Sequence, residues 1–150
     1  MMAALMSLND DELATEPGRA PDHRKLASVV RIVDAAGNDV CAHCEVAESA
    51  IARMRGLLGR DGLEPGHGML INGAPSIQMF FMRFSIDVVF LGRDKSIVGI
   101  AHDVKPWRTA GARGAFAALE LPAGTAKARG LSVGDILSVL PADTSPRSAS

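Results

Sequence analysis

The sequence predicts a mainly β (α+β) domain: a compact β-sandwich or small barrel-like body with one longer and one short helix at its margin. Three observations predict it. About seven short runs rich in Val, Ile, Leu and Phe recur at close spacing. Clusters of Gly, Pro, Asn and Asp separate them, as tight connections between strands require. Only two stretches carry the marks of a helix.

Taken in order, residues 1–27 read as a mobile polar arm, interrupted by Pro17-Gly18 and Pro21 and without apolar periodicity. Residues 28–33 form a strand, residues 34–38 a turn in which Gly37 and Asn38 tolerate positive φ, and residues 39–46 the returning strand of a hairpin. Residues 49–60 are the longer helix. Ser49 caps it, Ala50, Ile51, Met54, Leu57 and Leu58 form its apolar stripe, and Gly59 ends it. Arg53, Gly56 and Arg60 share another side of that helix. A short strand at 69–71 follows a loop. Residues 76–91 carry strand character, bent near Phe84-Ser85. A turn at 92–95 leads to a strand at 96–102, and residues 105–114 are a loop holding Trp107. A strand at 115–121 is stopped by Pro122, a short helix runs from Gly124-Thr125 to Gly130, and a last strand at 136–140 is stopped by Pro141. Residues 28–140 are therefore expected to form a single globular domain, and residues 141–150 a disordered tail.

The composition narrows the function classes. A chain of 150 residues, 47% hydrophobic and 22% charged, is ordinary for one soluble domain with a real core. A formal net charge of −1 offers no general attraction to nucleic acid or to an anionic membrane. Aromatic content of 4% is too low for a base-stacking platform. No apolar run approaches the ~18 residues that span a bilayer, and the N-terminus lacks a basic start, so a cytoplasmic location without membrane or nucleic-acid partners is expected. His23, His43, His67 and His102 are scattered, and no phosphate loop or nucleophile elbow is present. No cofactor or metal is expected. Cys41 and Cys44 lie three apart in a strand, so their side chains should point to opposite faces as two separate reduced thiols, unless a bulge intervenes.

The candidate site lies in residues 79–91, the most apolar run, because it contains Arg83 and Asp87. A charge among core residues must be paired, face a polar cavity or bind something. On a regular strand these two lie about 13 Å apart, so each needs its own partner. A hairpin at 92–95 brings Ala101 or His102 opposite Asp87. Glu120, alone among apolar neighbours, is a candidate partner for Arg83 or for a helix arginine. Gln78 and His102 extend this polar cluster, and Trp107 is placed to cap it.

Several of these stretches occur together and in order: residues 49–60 with Arg53, Gly56-Leu57 and Arg60; Gly68-Met69-Leu70; Met82-Arg83 with residues 86–90; residues 119–124; and Gly134-Asp135. In that arrangement the chain resembles the domain of unknown function 192 family, over about residues 28–140. The resemblance implies a compact, mostly β fold and no established biochemical activity. It maps the family's methionine, basic and aspartate positions to Met82, Arg83 and Asp87. Many relatives resemble secreted or membrane-anchored forms, whereas this N-terminus does not. Relatives often carry a histidine where this chain has Gln78, which counts against histidine-dependent catalysis here.

The resulting expectation is a non-catalytic domain that binds a small polar or anionic ligand, or a protein partner. Arg83 would contact the anion, Asp87 and Glu120 would orient it, Arg53 and Arg60 would extend the positive side, and Trp107 would act as a lid. Two alternatives stand beside it. One is a hydrolase-type enzyme with Asp87 or Glu120 as general base and Arg83 stabilising negative charge. The other is a structural or interaction protein whose buried charges only fix the fold.

Overall fold

A computed structural model of the chain describes residues 28–48 and 59–142. The terminal arm, most of the expected longer helix with Arg53, and all but the start of the tail lie outside the described residues.

The run Ile86-Asp-Val-Val-Phe-Leu91 forms β5 (Ile86–Leu91), and all six of its residues are buried. Alternation alone would bury one face; burial throughout requires cover on both. The other elements supply it. Among the described residues they are β1 (Val29–Val33), β2 (Asp39–Ala47), β3 (His67–Asn72), β4 (Ser76–Gln78), β6 (Ile97–Val104), β7 (Thr109–Gly111), β8 (Ala117–Pro122), α1 (Thr125–Ala128) and β9 (Ser138–Pro141). Seven strands make one sheet in the order β6-β5-β8-β3-β2-β1-β9, and β4 pairs with β7 in a second, two-stranded sheet. The fold is mainly β and sandwich-like, with a short helix at its margin.

The two faces of the large sheet carry separate cores. Ile32, Leu70, Val89, Leu91, Leu119 and Leu121 face one way, packed with Ala126 of α1 and with Leu131 and Leu137. Met69, Ile71, Ile86, Val88, Phe90 and Ala118 face the other way, packed with Ile77 of β4 and with Met79, Met82 and Val104. Each such side chain contributes roughly 1.5–3 kcal/mol by leaving water. The sheet also curls. Ile97 donates its N–H to the Asp135 carbonyl and accepts from the Gly134 N–H, both at 2.8 Å, and an antiparallel bridge joins Ser96 to Ile136. The strand that follows this segment, β9, pairs with β1. The two ends of the sheet therefore meet at a single bridge rather than a full ladder.

The hairpin β1–β2 forms as expected, around a turn in which Gly37 has φ 88°. Asp34 Oδ1 accepts the N–H groups of Ala36 and Asn38 at 3.0 and 2.9 Å. β2 and β3 then pair in parallel, so the chain between them crosses from one end of the sheet to the other. β7 lies within the expected loop at 105–114. Its residues, Thr-Ala-Gly, have no strand-like pattern, and only pairing with β4 makes them a strand.

The cysteines depart from the sequence expectation. Val30 faces Cys44 and Ile32 faces Cys41, so three steps along β2 oppose two along β1. This bulge cancels the divergence of a regular strand, and both thiols enter the same core cluster, fully buried and unbridged. Gly68 packs against this place. A Cβ there would stand 2.6 Å from the Glu120 carbonyl oxygen and 2.9 Å from Cys41 Sγ.

Gly68→Ala is therefore expected to lower stability by roughly 1–3 kcal/mol, read from the urea midpoint. An unchanged midpoint would show that β3 and β8 can separate without cost. A second expectation concerns acid. The Asn38 N–H, the largest cause, holds the Asp34 carboxyl below its ordinary 3.8, and the Ser96 hydroxyl does the same for Asp94. Both groups are lowered in the fold, so their contribution is present above the unfolded value and is lost as pH falls through the folded one. NMR titration should place both below 3.8, with the turn amides losing protection only in that lower range.

Candidate functional site

Asp87 points to the core side shared with Leu121, its register partner on β8. Its carboxylate is fully buried and saturated with backbone donors. Oδ1 accepts the Asp103 N–H at 2.9 Å, and Oδ2 accepts the Gly124 and Ala126 N–H groups at 3.0 and 2.9 Å. Two local features aim those donors. β6 bulges where Asp87 meets it: Ile86 faces Val104 while Val88 faces Ala101, and Asp103 adopts φ 51°. Gly124 opens α1 with φ 93° and provides no side-chain cap of its own. Asp87 thus takes the role of a helix cap from a distant strand.

The expected polar cluster is spread over the molecule. Glu120 is fully buried on β8, but it lies beside Val88 and Met69, on the opposite face from Asp87. His102 falls in the β6 bulge with its side chain exposed, so Asp87 binds the backbone next to it rather than the imidazole. Arg83 is not on a strand. It sits in the loop between β4 and β5, where Nη1 donates to the Gly59 carbonyl at 3.3 Å and stands 3.4 Å from Asp61. Arg60 reaches Glu45 at 3.7 Å on the half-exposed surface. Gln78 ends β4, exposed, opposite Thr109.

What the fold does assemble is a surface that the sequence reading reached only through Trp107. Two four-residue turns meet there. In the first, the Met82 N–H donates to the Met79 carbonyl at 3.3 Å; in the second, the Arg108 N–H donates to the Lys105 carbonyl at 3.2 Å. The third residue of each has positive φ, Phe81 at 66° and Trp107 at 71°, at a position that ordinarily selects Gly or Asn. The turns are tied together because the Met79 N–H donates to the Arg108 carbonyl and the Trp107 N–H to the Met79 carbonyl, both at 2.8 Å. Met79 and Met82 are buried in the core beneath, which forces Phe80 and Phe81 outward. Phe80, Phe81 and Trp107 are 44%, 64% and 59% exposed. The Phe81 and Trp107 rings touch at 4.8 Å between centroids, and the Phe80 and Trp107 rings at 5.8 Å. Arg83, Lys105 and Arg108 stand next to these residues in sequence. Lys105 is held by Asp103 at 2.7 Å.

The fold and its tip define a mostly β, sandwich-like domain of an uncharacterised family. The chain belongs to the domain of unknown function 192 family (DUF192, uncharacterized ACR), whose model matches residues 31–139. Among solved structures it is similar to a Sinorhizobium meliloti 1021 protein provisionally described as a transcription regulator. The identity is 30%, with 74% of this chain and 92% of that one covered, at a TM-score of 0.64. It is also similar to a protein of unknown function from Novosphingobium aromaticivorans DSM 12444, at 25% identity over 73% of this chain and 83% of that one, with a TM-score of 0.63. No curated protein matches the sequence. Among the described residues, no helix is long and apolar enough to cross a membrane, and no group of three or more His, Cys, Asp or Glu side chains could hold a metal ion.

Removing the Asp87 carboxylate strands the buried Ala126 N–H, at a cost of about 1–3 kcal/mol, and takes the acceptor from the part-buried Asp103 and Gly124 N–H groups, which water can partly replace. Asp87→Ala should therefore lose about 1–3 kcal/mol or more, and Asp87→Asn, which turns an amide N–H₂ toward one set of donors, somewhat less. Equilibrium urea unfolding decides it; wild-type stability for both variants would remove Asp87 from its capping role.

Proposed function

We propose that this domain is a non-catalytic recognition module that binds a protein partner through the Phe80–Phe81–Trp107 tip. One observation carries the reading: two turns each place an exposed aromatic side chain where the backbone favours glycine, and the two rings meet. A left-handed backbone costs a non-glycine residue about 1–2 kcal/mol, and the cost is not recovered by burial here. Aromatic side chains in such positions match the anchors of binding surfaces, where Trp and Arg supply most of the binding energy. The flanking Arg83, Lys105 and Arg108 favour a partner segment that sets carboxylates beside apolar side chains.

The small-anion and hydrolase readings receive less support from the same geometry. Asp87 has its oxygens engaged by three N–H donors and is out of reach of solvent, so it is a poor general base. Arg83 faces outward and apart from both buried carboxylates. The description of the Sinorhizobium protein as a regulator of transcription is not carried over, since a net charge of −1 gives no broad attraction for phosphates.

Phe81→Gly and Trp107→Gly should leave stability within about 1 kcal/mol of wild type, because relief of strain offsets the lost ring contact. Panning random peptides on the wild type should enrich apolar residues beside Asp or Glu. Those peptides should change the fluorescence of the single tryptophan and lose at least about tenfold in affinity, ~1.4 kcal/mol, with either glycine variant. Large destabilisation by the glycine variants would make the tip a structural lid. Peptides that bind both variants as well as wild type, or no enrichment, would overturn the proposal.

A further inference from the structure

We infer that Cys41 and Cys44 form a two-thiol modification site, which an oxidant of the hydrogen peroxide class converts into an intramolecular disulfide. The inference rests on the β2 bulge and is independent of the aromatic tip.

The bulge sets the separation. Cys44 and Cys41 face Val30 and Ile32, which are two residues apart on β1. Two strand steps span about 6.6 Å, so the bulge draws the pair toward the roughly 4.4–6.8 Å between Cα atoms that disulfides bridge. Both side chains point into one cluster. The two thiols are also unlike each other. The neighbouring Cys44 side chain holds the Cys41 thiol below its ordinary value of 9.0, while Cys41 beside it and burial drive the Cys44 thiol far up. Cys41, whose Sγ contacts the half-buried turn at Gly66, is the nucleophile of the pair and Cys44, deeper in the cluster, the thiol that resolves it.

Both thiols are fully buried, and Cys41 lies against a surface turn. Cys41 Sγ reaches the Gly66 carbonyl at 3.6 Å, and Gly66 is only half-buried, in a turn where the His67 N–H donates to Glu64. Gly68, with no side chain, leaves the room that Cys41 Sγ occupies.

The chemistry balances with one peroxide. The Cys41 thiolate attacks an oxygen of hydrogen peroxide and the O–O bond breaks. Cys41 becomes a sulfenic acid, and the departing hydroxide takes up the proton released by the Cys41 thiol, giving water. The Cys44 sulfur then attacks Cys41 Sγ, the S–O bond breaks, and a second water leaves with the Cys44 proton. The two thiols lose two electrons, which the peroxide gains.

The test is peptide mapping by mass spectrometry of the folded wild-type protein after hydrogen peroxide treatment, which keeps methionine oxidation separate. The expected result is a Cys41–Cys44 linked peptide lighter by two hydrogens and restored by dithiothreitol. In Cys44→Ala, with folding checked by circular dichroism, the expected result is a single added oxygen at Cys41. Four outcomes would overturn the inference: linkage only in denaturant, no change at either cysteine in the folded protein, several oxygens on each cysteine without linkage, or initial oxidation at Cys44 in Cys41→Ala at the wild-type rate.

Discussion

A single buried carboxylate coordinates the parts of this domain that the sheet ladder does not reach. Asp87 receives N–H groups from β6 and from the start of α1 while its own backbone sits between β6 and β8. A four-residue helix has no stability by itself, so α1 exists because its first N–H groups have an acceptor and Ala126 has a core to enter. The same carboxylate fixes the β6 bulge, which sends His102 outward and turns the chain toward Lys105 and Trp107. The segment that carries Lys105 and Trp107 thus leaves the sheet directly after a bulge held from the opposite core layer.

A division of labour follows. The buried acids belong to the interior, one on each face of the sheet, whereas the exposed cations and aromatic rings belong to the loops. Strain is concentrated at the surface: Phe81 and Trp107 take left-handed backbone where a glycine would relax it. The interior carries the complementary tightness, as at Gly68, where no Cβ fits between neighbouring strands.

The legibility of the sequence divides along the same line. Strand positions were readable because β-branched residues cluster and turn residues separate them, as around Asp34 and Gly37. The run at 76–91 was expected to break or bend near Phe84-Ser85, but it is interrupted earlier and for longer, over residues 79–85. The site was not, because three local irregularities decide it. The β6 bulge shifts His102 off Asp87, the β2 bulge brings Cys41 and Cys44 to one side, and the turn at 79–82 exposes two adjacent phenylalanines that strand alternation would divide between faces. A bulge has no strong composition signal, so alternation misassigns every side chain beyond it. For Phe80-Phe81 a signal did exist: flanking methionines three apart suit the two rooted ends of a turn. β7 had none, since Thr-Ala-Gly is made a strand only by its partner.

The meeting of the sheet's two ends has a consequence for how the chain is made. β1, near the beginning, is flanked by β9, near the end, and residues 95–97 are bonded to residues 134–137. During synthesis, β1 and β2 can pair early, but the outer side of β1 and the start of β6 stay open until the last strand leaves the ribosome. Such distant pairings make folding slow relative to helical domains of similar size. In that interval the nascent chain presents open strand edges, which are templates for other chains, so the domain is most vulnerable before β9 has docked on β1.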